Sequence, residues 1–236
     1  MKTKIIPILA LLAFAACKPT NEQVVLQYPN GDPELVYIVS GKNNDEQTVI
    51  GEKWYYENKQ LRAEKYYDKK MGMGSPDGEW KYYYSDGTLF AKGSFDATHP
   101  LGSNWTFNRP DKTPYYKGAI DSTVVLELSA KQMPATVAYY HADSMMVFKF
   151  FDDYSLQSEG LLINNQREGR WNYYYPDGTP QVEATFTDGK ENGAYKCYRE
   201  NGVPIYIGYY INGKRANIWE FYDMDGNLSG TKNFDE

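Results

Sequence analysis

Apolar and polar residues alternate along much of this chain. Leu89, Ala91, Gly93 and Phe95 are apolar or small, and Lys92 and Ser94 between them are polar. The alternation returns at Pro180, Val182, Ala184 and Phe186, interleaved by Gln181, Glu183 and Thr185, and again at Pro204, Tyr206, Gly208 and Tyr210. A period of two places one set of side chains on one face of a strand. Each run therefore predicts a strand whose core face carries a small residue in its middle and an aromatic at its end. An aromatic-rich run precedes each one, as in residues 80–84 and 171–175, and Asp86-Gly87 or Asp177-Gly178 separates the two. Two such runs around an Asp-Gly pair predict a β-hairpin.

The hairpin is a repeating unit. Anchors at Trp54, Trp80, Trp105, Val147, Trp171, Tyr195 and Trp219 are spaced by 26, 25, 42, 24, 24 and 24 residues, and Val24 starts a poorer first copy. Turn pairs recur near a fixed offset: Asn30-Gly31, Asp86-Gly87, Asp111-Lys112, Asp153-Tyr154, Asp177-Gly178, Asn201-Gly202 and Asp225-Gly226. Asn or Asp followed by Gly suits a type I′ turn, which needs positive φ at both central residues. A fixed period of this size signals a repeat architecture. The expected fold is all-β: tandem antiparallel hairpins of about 24 residues each, forming one elongated, twisted meander sheet. The short turns dictate the antiparallel order, because parallel pairing needs long crossovers. The wide gap after Trp105 leaves room for an extra hairpin near 119–146, with strands expected around 122–129 and 136–140. Trp54 opens its copy with a shortened turn at Asn58-Lys59.

Residues 1–17 resemble a bacterial lipoprotein signal: Lys2 and Lys4, an apolar stretch, then Ala15-Ala16-Cys17. The resemblance implies lipidation at Cys17 and a chain anchored by lipid to the membrane of the cell envelope. Residues 18–23 then form a tether and 24–236 the repeats. Losing Lys2 and Lys4 leaves 23 basic residues against 31 acidic, a net charge near −8. Binding nucleic acid requires phosphate neutralisation, so that balance excludes it. Cys197 is the one cysteine left after Cys17, which excludes an intramolecular disulfide and fits a buried structural thiol. Tyrosine is abundant, 23 residues against 10 Phe, and a ring with a wet hydroxyl suits a half-buried sheet surface.

The pattern G-x-W-x-x-Y-Y-x-x-D-G, then an alternating strand, then D-G-K-x-x-G, carried here by residues 169–193, resembles the MORN-repeat variant of bacterial proteins of the YwqK type. The resemblance implies an antitoxin- or immunity-like protein that binds a protein partner, such as a toxin. Chemistry of other kinds has little support in the residues. His99 and His141 have no ligand-spaced companions, the repeat itself accounts for most acids, and no nucleophile elbow or phosphate loop occurs. The expectation is a non-enzyme with no cofactor and no metal. Candidate binding residues stand three places past the anchors, on the face opposite them: Tyr83, Phe150, Tyr174, Tyr198 and Tyr222. They serve either cross-strand packing or an aromatic ladder for a protein or, alternatively, a glycan. Lys53-Trp54-Tyr55-Tyr56 also resembles aromatic hairpin repeats that bind cell-wall choline, but their period is shorter.

Overall fold

The computed structural model of the protein describes residues 21–41, 47–73, 75–95, 104–119, 124–129, 131, 133–141 and 143–235. Cys17 and the expected leader lie outside the described residues, as do His99 and the loop expected at 96–101. The described chain is strand and turn. One sheet contains β1 (Asn21–Gln27), β2 (Pro33–Ser40), β3 (Thr48–Tyr55), β4 (Leu61–Tyr66), β5 (Gly78–Tyr83), β6 (Leu89–Phe95), β7 (Asn104–Asn108) and β8 (Pro114–Ala119). The other contains β9 (Val124–Leu128), β10 (Pro134–His141), β11 (Ser144–Phe150), β12 (Leu156–Ile163), β13 (Gln166–Tyr174), β14 (Pro180–Thr187), β15 (Lys190–Tyr198), β16 (Pro204–Ile211), β17 (Lys214–Tyr222) and β18 (Leu228–Asn233).

Within each sheet every strand pairs antiparallel with its sequence neighbours, so the hairpin meander is as expected, but it falls into an 8-stranded and a 10-stranded sheet instead of one. The division lies between Asp121 and Ser122, and each part is a compact unit. The expected extra hairpin is β9–β10, the first hairpin of the second sheet. β1 begins at Asn21, inside the expected tether.

The turns after the anchors are of a different kind from the expected type I′. In the hairpin of β13 and β14 the Gly178 amide donates to the Tyr175 carbonyl at 2.9 Å and the Tyr175 amide to the Thr179 carbonyl at 2.8 Å. Gly178 has φ +87°, whereas Asp177 is not in the left-handed region. This is a three-residue loop, a type I turn closed by a left-handed residue. Asp177 supports it by accepting a 2.8 Å hydrogen bond from the Thr179 amide. Lys59, Lys112 and Tyr154 fill the left-handed place with φ of 68°, 70° and 69°. True type I′ pairs close the other ends of the second sheet's hairpins, at Asn164-Asn165, Asp188-Gly189 and Asn212-Gly213, with both residues at positive φ. Each three-residue turn is followed by one extra residue on the outgoing strand, for instance Gln181 between the pairs Tyr173↔Val182 and Tyr174↔Pro180. The repeated bulge sets a common local twist.

Counting back from the turns corrects the first anchors. The turn at Tyr56 matches the others, with the Lys59 amide bonded to the Tyr56 carbonyl, so it is not shortened. The anchor of that copy is then Glu52, and Trp54 stands where Tyr82 and Tyr173 stand elsewhere. Glu52 pairs across the strands with Lys65, at the place where Trp80 pairs with Gly93. The two form an ion pair at 3.0 Å with side chains 7% and 0% exposed. Lys65 Nζ lies 5.6 Å from the Trp54 ring and 5.4 Å from the Trp80 ring. Burial, offset in part by Glu52, lowers the Lys65 pKa.

The small residue mid-strand has a direct cause. A Cβ on Gly160 would lie 2.2 Å from Cδ2 of Trp171, and one on Gly208 2.2 Å from Cδ2 of Trp219. Each indole lies against a glycine of the preceding strand and donates Nε1–H to the next carbonyl: Trp171 to Leu161 at 2.9 Å, Trp219 to Tyr209 at 3.1 Å. To bring the indole there, the incoming strand bulges at a left-handed residue two places before it: Gly169 at φ 63° and Asn217 at φ 57°. Asparagine tolerates that region, so the absence of glycine before Trp219 costs little. Burying an indole of roughly 200 Å² contributes about 5 kcal/mol, so these glycines locate the main packing energy. Trp171 joins Ala138, Val147, Ala184 and Phe186 in one cluster. In the first sheet Trp105 stacks on Phe107 and meets Phe95 edge-on.

Candidate functional site

The strand pattern that turns the indoles to one face sets a tyrosine and carboxylate array on the other. Pairing carries a row of positions straight across the second sheet: Glu159↔Asn172, Asn172↔Glu183, Glu183↔Lys196, Lys196↔Ile207 and Ile207↔Glu220. Beside it runs the row three residues past the anchors. Tyr174, Tyr198 and Tyr222 are half-buried there, exposed enough to be touched and packed enough to be held, and Tyr83 at the same repeat position of the first sheet is half-buried too. Phe150 occupies the same register place but is only 6% exposed, so it presents no surface.

Three hydroxyls of this face are tethered. Tyr174 donates to Glu159 at 2.9 Å, Tyr222 to Glu220 at 2.6 Å, and in the first sheet Tyr66 donates to Glu64 at 2.8 Å. Arg170 bridges to Glu183 at 2.9 Å. Burial together with the bonded Glu64 pushes the Tyr66 phenol up to about 12. The Glu220 hydrogen bond raises that of Tyr222, and burial followed by nearby Glu183 raises that of Tyr198. These phenols are neutral donors at physiological pH. The face offers ring surfaces, hydroxyls and carboxylates at a regular spacing, which is recognition chemistry.

Three tyrosines of this face escaped the sequence pattern. Tyr55 belongs to the row, because it stands three places past Glu52, and counting from Trp54 shifted it out. The spacing of the Tyr56-Glu57-Asn58-Lys59 turn could have found it, since Tyr84-Ser85-Asp86-Gly87 has the same form. Tyr66, 37% exposed, and Tyr209, 42% exposed, also lie open on the surface. Cys197, expected to be buried, is half-buried beside Tyr206, whose phenol pKa is raised by burial first and then by the thiol.

These features define a tandem hairpin-repeat protein built of bulged antiparallel strands. Four of its segments, residues 52–69, 76–97, 167–188 and 191–212, match the MORN repeat variant family. None of the curated proteins matches the chain. Solved structures with a distant likeness include an S. aureus TarM mutant in complex with Fondaparinux, alpha-GlcNAc-glycerol and UDP, at 11% identity and TM-score 0.31, over 41% of this chain and 20% of that one. Two others are TcdB2-TccC3-TEV, at 12% identity and TM-score 0.24 over 92% of this chain and 11% of that one, and the Photorhabdus luminescens Tc holotoxin pore, at 12% and 0.22 over 90% and 11%. The chain spans a fifth or less of each, and likeness this distant assigns no function.

Proposed function

We propose that the chain is a non-catalytic scaffold of the bacterial envelope, held by lipid at Cys17, that binds another protein through its tyrosine-bearing face. The observation that carries this reading is the row of Tyr174, Tyr198 and Tyr222 with Glu159, Glu183 and Glu220 beside it, in which the Tyr174 and Tyr222 hydroxyls are tethered to Glu159 and Glu220. Tyrosine concentrates binding energy at interfaces, and hydroxyls already fixed reduce the ordering cost of association. A repeat sheet extends such a face over many strands. The four MORN-variant segments agree with a scaffold, and the resemblance to antitoxin-like proteins suggests a toxin reaching the envelope as the partner.

Pull-down from envelope extract, run beside a glycan array, tests this. The wild-type chain should retain a discrete protein partner, and Tyr174→Ala combined with Tyr198→Ala should weaken it at least about tenfold, the effect of losing two interface anchors. A folded double variant that binds as well as wild type would refute the assignment of this face. For the anchor, Cys17→Ala should move the chain from the membrane fraction to the soluble one.

A further inference from the structure

One copy departs from the repeat at two neighbouring places. Two residues past the anchors the chain carries Leu26, Trp54, Tyr82, Phe107, Tyr173, Cys197 and Phe221, but in β11 it carries Lys149, which is exposed. At the turn the repeat uses a polar side chain to tie each hairpin to the next: Tyr56 to the Tyr83 carbonyl at 2.8 Å, Tyr84 to the Asn108 carbonyl at 2.7 Å, Tyr175 to the Tyr198 carbonyl at 2.9 Å. The residue at that place after β11 is Phe151, which has no hydroxyl to donate. A missing ring and a missing tie leave a cleft of about 720 Å³ between this hairpin and the next. That volume is in the range of small-ligand sites.

The lining is amides, rings and charge. Gln157 and Gln181 occupy the bulge positions of adjacent hairpins, and among the described residues neither side chain has a hydrogen-bond partner. Tyr173, Tyr175 and Trp171 supply aromatic surface, and Lys149 and Arg167 supply two cations against the single carboxylate of Glu200. Arg167 is held in place over the Trp171 ring at 5.3 Å and the Tyr173 ring at 5.8 Å. The cleft spans β11 to β14, whose backbone groups are already paired on both sides. A peptide strand would find no ladder to join there, whereas a sugar is recognised by side-chain amides on its hydroxyls and rings on its C–H faces.

We propose that this cleft binds a short acidic oligosaccharide, with Gln157 and Gln181 on hydroxyls, Tyr173 and Tyr175 against the sugar rings, and Lys149 facing a carboxylate. It is lined mainly from the indole face, with Tyr174 of the tyrosine row at its border and Tyr198 and Tyr222 outside it.

Calorimetric titration of the purified chain with tetragalacturonate, maltotetraose and a tetraglutamate peptide tests it. Tetragalacturonate should bind saturably, and maltotetraose about tenfold more weakly for want of the charge-assisted contact. Lys149→Tyr restores the ring of the other copies and should abolish binding while the unfolding midpoint holds or rises. Gln181→Ala, a milder change, should weaken binding with no loss of fold. The Tyr198→Ala and Tyr222→Ala double variant, which changes no residue lining the cleft, should bind the sugar as wild type does. Failure of tetragalacturonate to saturate, unchanged affinity in both cleft variants, or equal binding of the peptide would overturn the proposal.

Discussion

Gly160→Ala tests the packing rule most directly. The added methyl carbon would stand 2.2 Å from Cδ2, 2.4 Å from Cε2 and 2.6 Å from Cγ of Trp171. Ordinary contact needs about 3.5 Å or more, so the indole must retreat by more than an ångström. It is held by its 2.9 Å bond to the Leu161 carbonyl and by Ala184 and Phe186 around it. Overpacking of this kind costs about 1–3 kcal/mol and a lost hydrogen bond about 1, so the variant should lose roughly 2–4 kcal/mol. Urea unfolding followed by far-ultraviolet circular dichroism should show the midpoint fall by roughly 1–2 M. Gly230→Ala is the control, because nothing lies within 4 Å of its Cβ and its φ is not left-handed. It should be neutral, or stabilising by about 0.5 kcal/mol. Combining Gly160→Ala with Trp171→Phe should recover part of the loss by non-additivity. Equal stability of Gly160→Ala and wild type, or equal losses at Gly160 and Gly230, would refute the packing of indole on glycine.

At the turns, Lys59→Gly and Lys112→Gly relieve a left-handed non-glycine residue and should each stabilise by about 1 kcal/mol in the same urea assay. Tyr154→Gly should instead destabilise by about 3 kcal/mol or more, because its ring is fully buried and its hydroxyl donates to Met133 Sδ at 2.9 Å. Glu52→Gln leaves the Lys65 charge buried without its partner and should cost about 3–5 kcal/mol, whereas Glu52→Leu with Lys65→Met should come near wild type. Tyrosine ionisation makes the fold sensitive to alkali: burial and neighbouring carboxylates raise Tyr66 to about 12 and Tyr67 well above its ordinary 10.0. The unfolded chain therefore releases those protons first, so stability is intact below pH 10 and falls as pH rises from about 10 toward 12. Absorbance at 295 nm and circular dichroism should change together over that window, and independent, non-cooperative ionisation of all phenols would contradict the burial.

Much of the fold was legible because a period of two and a turn dipeptide are local signals. Gly93 and Gly208 could be read as small residues on a core face before any contact was known. The turn type could not, since Asp-Gly suits both a two-residue and a three-residue loop, and the choice lies in strand register. Trp54 misled for a related reason: a large aromatic looks like an anchor, and only the turn hydrogen bonds show that Glu52 holds that place. The break between the two sheets depends on which strands pair, which alternation does not encode. Of the candidate site, Tyr83, Tyr174, Tyr198 and Tyr222 followed from alternation alone. The burial of Phe150 did not, because burial is set by what covers a strand and not by its own sequence.

The two faces of this meander answer to different constraints. The indole face is fixed by contact: a ring, a glycine beneath it and a bulge that brings them together, repeated at Trp171 and Trp219 with nearly equal clearances. Beyond β10 and β11, where Val137, Phe148 and Phe150 are buried, the other face of the second sheet has no such demand, and strand stability there would be met by Lys, Glu or Thr pairs. It carries tyrosines whose hydroxyls are bound to carboxylates on the same or an adjacent strand. A half-exposed ring held at its hydroxyl has lost rotamer freedom in the free protein, an entropic cost that sheet pairing does not require. A partner that covers the ring meets it already ordered, so the cost falls on the folded monomer and the gain appears at association. The tethers make these tyrosines better placed for recognition than as contributors to the stability of the sheet.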